Sequence, residues 1–296
     1  MHCHDMTLNN GVKMPRVGFG VFKVAPADTV AAVASALEAG YRLVDTASAY
    51  GNEREVGEAI AAGGLKREEI FVTTKLWVTQ YGYDPARRGI AAGLAKLGLE
   101  YADMVLLHFP VPSAFEDTIA AYRALEQELK DGRIRAIGVC NFHARHLERL
   151  IAESDIVPAV NQVELHPLFN QEALIRTHRR LGIATQAWSP LGAVLIYDAA
   201  SPEKARHVLA DPVITELAAR YGKSPAQIIL RWHVQRDVAV IPKSVHPERM
   251  RENIAIFDFS LAEEDMAAIQ RLDAGIRGAL DPELVERNTY PVEVAP

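Results

Sequence analysis

The chain has 296 residues, 49% hydrophobic and 24% charged, with a net charge of −6 and no long basic run. These values exclude a disordered or fibrous chain and argue against nucleic acid or an anionic membrane as the main partner, which leaves a small molecule. No apolar run approaches the roughly 18 residues of a membrane helix. Only Cys3 and Cys140 occur, and no charged-then-apolar leader opens the chain, so a reducing cytoplasm is expected.

In chain order, His2-Cys3-His4-Asp5 has metal-ligand chemistry, but termini are generally poorly ordered and residues 1–6 are expected to fray. Thr7 to Met14 places Asn10-Gly11 between two short runs, a hairpin signal that could plug the bottom of a barrel. Eight apolar runs follow as candidate strands: 16–20, Leu43-Val44, 71–74, 104–107, 134–139, 159–163, 183–187 and 238–241. Helical patterns lie between them, such as Val30, Val33, Ala34 and Leu37 on one face. Pro225 and Pro247 stand at first helical positions, and Asp84 is a candidate N-cap before Pro85. Two further helices are predicted at 212–221 and 262–272, before a ragged tail. Strand and helix alternate with no linker, so the prediction is a single domain over residues 1–296. It is an α/β protein, a (β/α)8 TIM barrel with an N-terminal β-hairpin, two extra helices and a variable C-terminal loop at 277–296.

A doubly wound dinucleotide fold is excluded, because Gly18-Phe19-Gly20 begins its fingerprint but Lys23 stands where the third glycine belongs. The polar residues Asp45, Lys75, His108 and Asn141 close four successive runs about thirty residues apart, the length of one strand-helix-strand unit. Parallel strands all end at one face, so these four can converge there with Gln162, Trp188 and Lys243. A phenol, with a reference pKa of about 10, is a reluctant acid; Lys75 beside Tyr50 would ease proton donation, and Asp45 would hold Lys75 charged. With His108 orienting an acceptor oxygen, the set suits carbonyl reduction. A metal-dependent hydrolase using His108 and His166 is the alternative, although its donors are scattered and no metal ligand set is assigned.

From about residue 7 to residue 280 the chain resembles the aldo-keto reductases. Gly40-Tyr41-Arg42-Leu43-Val44-Asp45-Thr46-Ala47 with Tyr50, Glu53 and Gly57 is similar to the first family signature. Ile137 to Phe142 resembles the second, and Ile241 to Val245 with Arg249, Glu252 and Asn253 the third. Gly20 to Val24 and Ala187 to Gly192 look most like the bacterial 2,5-diketo-D-gluconate reductase branch. The resemblance implies a catalytic tetrad of Asp45, Tyr50, Lys75 and His108, with Tyr50 the general acid, and NADPH as cofactor. It implies that Asn141 and Gln162 hold the carboxamide, Trp188 stacks on the nicotinamide, and Leu191 and Gly192 lie near the pyrophosphate. Lys243, Ser244 and Arg249 would take the 2'-phosphate, and Glu252 and Asn253 the adenosine, with Gly20, Val21, Cys140, Ser189, Val245 and His246 as further contacts.

Phe22, Tyr50, Trp77, His108, Phe109 and Trp188 would line the substrate pocket, and the tail with Tyr290 would close it. Phe109 replaces a frequent tryptophan, and His246 replaces a frequent threonine or arginine. Substrates implied are keto-sugars, dicarbonyls or aromatic aldehydes, and the enzyme a monomer. Cofactor-binding potassium-channel β subunits share the superfamily, but an intact tetrad favours the enzyme.

Overall fold

Asn10 and Gly11 turn the chain between β1 (Asp5–Thr7) and β2 (Lys13–Pro15), which pair antiparallel, with Gly11 at a φ of 84° that suits glycine. The structure, a computed structural model, describes residues 4–193, 207–290, 292 and 294. Of the end expected to fray, residues 1–3 lie outside the described residues and residues 4–6 are ordered. Met6 is buried and Asp5 pairs with Pro15, while the His4 ring stacks on Phe257 at 3.7 Å between centroids. Burial of Met6, Leu8 and Met14 against the barrel interior supplies what a free terminus lacks.

All eight apolar runs become strands: β3 (Phe19–Gly20), β4 (Leu43–Asp45), β5 (Phe71–Leu76), β6 (Ala102–Leu107), β7 (Ile134–Cys140), β8 (Val160–Glu164), β9 (Ala184–Trp188) and β10 (Val238–Val240). They form one sheet in sequence order, every neighbouring pair parallel. The sheet closes on itself. Val17 bridges Val240, Gly18 N–H donates to Val240 O at 2.8 Å, and Gly20 N–H donates to Pro242 O at 3.1 Å. This is the (β/α)8 barrel.

Strands buried on both faces explain the unbroken apolar runs. One core fills the barrel, where Leu43, Phe71, Met104 and Leu106 meet the hairpin residues Met6, Leu8 and Met14. A second lies between sheet and helices. Ser224 caps the helix Pro225–Gln235 in a reciprocal pair with Gln227, and Asp211 caps Pro212–Tyr221. The second extra helix is Glu263–Gln270, two residues shorter at its end than the predicted 262–272. Asp84 is not a cap. The helix Tyr83–Leu97 starts from Gly82, whose φ of 108° turns the chain two residues earlier, and Asp84 falls in the first turn. Among the described residues no helix is long and apolar enough to cross a membrane.

Candidate active site

Three strand ends and one short turn assemble the centre. Asp45 ends β4, Lys75 lies near the end of β5, His108 follows β6, and the 3-10 turn Ser48–Tyr50 carries the phenol. Lys75 Nζ donates to Asp45 Oδ1 at 2.5 Å, to Thr46 O at 3.0 Å and to Tyr50 Oη at 3.2 Å. Gln162 Nε2, on β8, donates to Asp45 Oδ2 at 2.7 Å. Both oxygens of Asp45 therefore face donors, which matches a carboxylate. Ser48 Oγ lies 3.0 Å from Lys75 O and accepts the Trp77 N–H at 3.2 Å, tying the tyrosine turn to β5.

An ammonium has no acceptor, so in the Lys75–Tyr50 contact the phenol oxygen accepts and its own proton is directed elsewhere. Burial pushes the Tyr50 phenol up to about 12, with Lys75 pulling it back and Asp45 pushing it further. Lys75 acts in the direction expected from the sequence, favouring loss of the phenol proton, but burial outweighs an ammonium that Asp45 also opposes, and at neutral pH Tyr50 keeps its proton. Burial also pushes Asp45 up, against Lys75 and the Gln162 amide, which pull it down. For Lys75 burial acts downward, but Asp45 and Tyr50 outweigh it and hold the ammonium charged. Burial, then the Lys75 charge, hold His108 well below the usual imidazole range, so its ring is neutral.

A cavity of about 740 Å³ opens beside these groups. Of the expected cofactor contacts, Gly20, Asp45, Cys140, Asn141, Gln162, Trp188, Ser189, Leu191 and Lys243 line it, and all six residues expected along the substrate pocket do so too. Trp188 is held as a plate by its Nε1–H, which donates to Asn141 Oδ1 at 2.9 Å; Asn141 Nδ2 in turn donates to His108 O at 3.0 Å. Asn141 at φ 66° and Ser189 at φ 49° are non-glycine residues in the left-handed region, a cost met where side chains must be aimed. Trp77 stands edge-on to His108 at 5.0 Å, and Phe109 stacks on it at 5.5 Å.

Val21 stands behind the cavity wall: it is fully buried, its N–H donates to Asp45 O and its carbonyl accepts from Asn52. Gly192, Ser244, Val245, His246, Arg249, Glu252 and Asn253 also lie outside the cavity wall. Gly192 forms a turn with Ser189, and the other six follow Lys243 through the helix Pro247–Ile254. Ser244 Oγ accepts the His246 N–H at 3.1 Å, and Asn253 is buried. Sequence reading missed Thr46, whose carbonyl anchors Lys75, and Ser48. The wall residues Gly278, Ala279 and Leu280 fall in the C-terminal loop expected to close the pocket, although none of the three was named. No residue type marks a backbone carbonyl or a small-residue wall in advance. Tyr290, named only as part of the closing tail, reaches Trp77 and Phe109 at centroid distances of 6.1 and 6.0 Å.

Known proteins share this architecture. The chain is 51% identical to the morphine 6-dehydrogenase of Pseudomonas putida, over 96% of each chain. It is 44% identical to the methylglyoxal reductase DkgA of Yersinia pestis, over 94% of this chain and 95% of that one. The crystal structure of a Bombyx mori aldo-keto reductase in complex with NADP superposes with a TM-score of 0.88 at 35% identity, covering 98% of both chains. Residues 16–274 match the family model described as "Aldo/keto reductase family", and this chain belongs to that family.

Proposed function

We propose that the protein reduces aldehydes or ketones to alcohols with NADPH, Tyr50 giving the proton. The orientation of the Tyr50 hydroxyl carries this reading: its oxygen accepts from Lys75, so its proton is free for a ligand in the cavity. When bound, the nicotinamide supplies hydride to the carbonyl carbon. The residues fit such a group. Trp188 offers a fixed flat face at the wall, and Gly20 lies so close to the chain that a Cβ would stand 3.0 Å from Ile241 O. Lys243, at the cavity wall, and Arg249 are exposed cations, the chemistry a 2'-phosphate needs.

The neutral His108 positions the carbonyl oxygen, and Tyr50 transfers its proton to that oxygen as negative charge develops there. Lys75 stabilises the phenolate left behind. Asp45 holds the ammonium in place, and Gln162 holds Asp45. The carbonyl bond is reduced to C–H and O–H. Phe22, Trp77, Phe109 and Trp188 give the cavity an aromatic wall suited to flat or apolar carbonyl compounds. The named activities of the two relatives bracket the range, from a polycyclic alkaloid to a small dicarbonyl. A single-domain monomer in the cytoplasm is the setting we infer from the barrel and the scarce cysteines; sedimentation at micromolar concentration tests the first part.

The test of function is the fall in NADPH absorbance with a panel of aromatic aldehydes, methylglyoxal, keto-sugars and ring ketones, with and without a chelator. Turnover that survives chelation is expected. Absence of NADPH consumption across the panel, or hydrolysis abolished by chelation, would contradict the reading.

A further inference from the structure

The stretch after the helix Glu263–Gln270 supplies Gly278, Ala279, Leu280 and Tyr290 to the cavity wall. Among its described residues the only helical piece is the 3-10 turn Pro282–Leu284, and it joins no sheet. A wall built from such a segment must take its position from outside itself.

Two carboxylates supply that position. Glu164 ends β8, with its side chain fully buried. Its Oε1 accepts the Gly278 N–H at 2.6 Å, and its Oε2 accepts the Ala279 N–H at 3.1 Å. His166 Nε2 stands 3.1 Å from Oε1. Hydrogen bonds to an ionised acceptor are the strong kind, and two of these go to consecutive amides of the cavity wall.

The second carboxylate, Glu283, lies on the segment and reaches back to the start of the helix Ala144–Ala152. Arg145 Nε donates to its Oε1 at 2.8 Å, and the same guanidinium meets Oε2. His143 Nδ1 lies 3.0 Å from Oε1. The guanidinium of Arg277 can only donate and faces His143 Nε2 at 3.3 Å, so the His143 proton is on Nδ1 and is given to Glu283. His146 Nδ1 accepts the His143 N–H at 3.1 Å, which leaves its proton on Nε2; that atom lies 3.1 Å from Glu283 Oε1, close to the carboxylate but without a hydrogen bond to it. Two imidazoles and a carboxylate have the composition of a cation site. Here both ring protons lie on the carboxylate side and two arginines add positive charge, so the trio works as a clasp. A third tie, Arg287 to Asp117 at 2.6 Å, is exposed and adds little.

Both moorings grow from strands that serve the active centre. Glu164 lies two residues past Gln162, and His143 two residues past Asn141. We propose that Glu164 and Glu283 are positioning residues for the substrate wall, setting the room left for a bulky carbonyl compound while taking no part in proton transfer. The proposal rests on the carbonyl-reduction reading.

The test compares Glu164→Gln and Glu283→Gln with the parent protein. A glutamine at 164 cannot accept both amides, and one at 283 loses the charge that gathers Arg145 and the two imidazoles. In both variants the KM for 4-nitrobenzaldehyde should rise at least fivefold relative to that for methylglyoxal, with kcat for methylglyoxal and NADPH affinity within twofold. Amide hydrogen exchange of residues 277–287, measured without any carbonyl compound, should speed up at least tenfold. Should Glu164→Gln fail to fold, Glu283→Gln carries both measurements. A KM ratio within twofold of the parent, or unchanged exchange, overturns the proposal. A parent protein that reduces neither compound would instead remove the reading of function, and exchange would still report on the moorings.

Discussion

The contact between Lys75 and Tyr50 has one direction, since only Lys75 can donate in it, and that fixes the chemistry available to the phenol. Lys75 and Asp45 are both buried, and such a pair is costly to break from one side. Lys75→Met should therefore abolish reduction and also destabilise the fold by roughly 3–5 kcal/mol, because Asp45 would be left as an unpaired buried charge. Urea denaturation with a parallel rate assay checks both; a variant as stable as the parent would mean that Asp45 finds another partner or takes up a proton. Asp45, Lys75, His108 and Asn141 were legible in the sequence because each is a polar residue ending an apolar run. That Val21 stands behind the cavity wall was not, since a glycine neighbour in a familiar motif says nothing of where the next residue's backbone groups are spent. The upward shift of Tyr50 was hidden too: burial is a property of the assembled wall, whereas a neighbouring lysine can be inferred from strand order.

Elements were legible where a local rule had no competitor. The Asn-Gly turn, the helix starts at Pro225 and Pro247 and the apolar strands formed as expected. Asp84 misled because Gly82 offered the chain a sharper turn just upstream. Helix packing adds a constraint that a motif alone does not explain. A Cβ on Gly57 would stand 2.1 Å from Leu97 O, at the C-terminal end of the helix Tyr83–Leu97, so Gly57→Ala must push apart the helices Glu53–Ala62 and Tyr83–Leu97. It should cost about 1–3 kcal/mol by overpacking. An unchanged urea midpoint would show that the two helices can slide. At the end of β10 the exposed cations Lys243 and Arg249 precede and enter the helix Pro247–Ile254. Lys243→Ala should raise KM for NADPH about tenfold or more while changing that for NADH less than threefold, as expected for loss of a contact to the 2'-phosphate. Parallel weakening of both cofactors would contradict the phosphate assignment.

Across the whole molecule, closure of the sheet through Val17 and Val240 brings the first and last strands together, so residues from one end of the chain to the other share one cavity. The same burial gives stability a pH dependence. Burial lowers His178 and His233 to about 3 and His146 to about 4, and holds His108 well below its usual range. Below pH about 6.5 the unfolded chain takes up protons on these rings that the folded protein refuses, so stability falls as pH drops from about 6.5 toward 3 to 4. Asp45 and Glu53, pushed up by burial, act in the opposite sense and offset part of the slope. A urea midpoint flat between pH 7 and 4.5 would contradict this balance. Barrel and centre were readable because strand order dictates where strand ends meet. The wall at Gly278, Ala279 and Leu280 was not, because its place depends on carboxylates more than a hundred residues earlier or several residues later.

The most direct measurement is a single-turnover reduction of 4-nitrobenzaldehyde by the Tyr50→Phe variant preloaded with NADPH, alongside the cofactor's dissociation constant. Removing one oxygen from the wall should leave cofactor affinity within about threefold and slow the reduction by about a hundredfold or more, the scale of general acid catalysis. A variant that reduces the aldehyde at the parent rate would show that the proton comes from elsewhere, and the role given to the Lys75-bound phenol would fall.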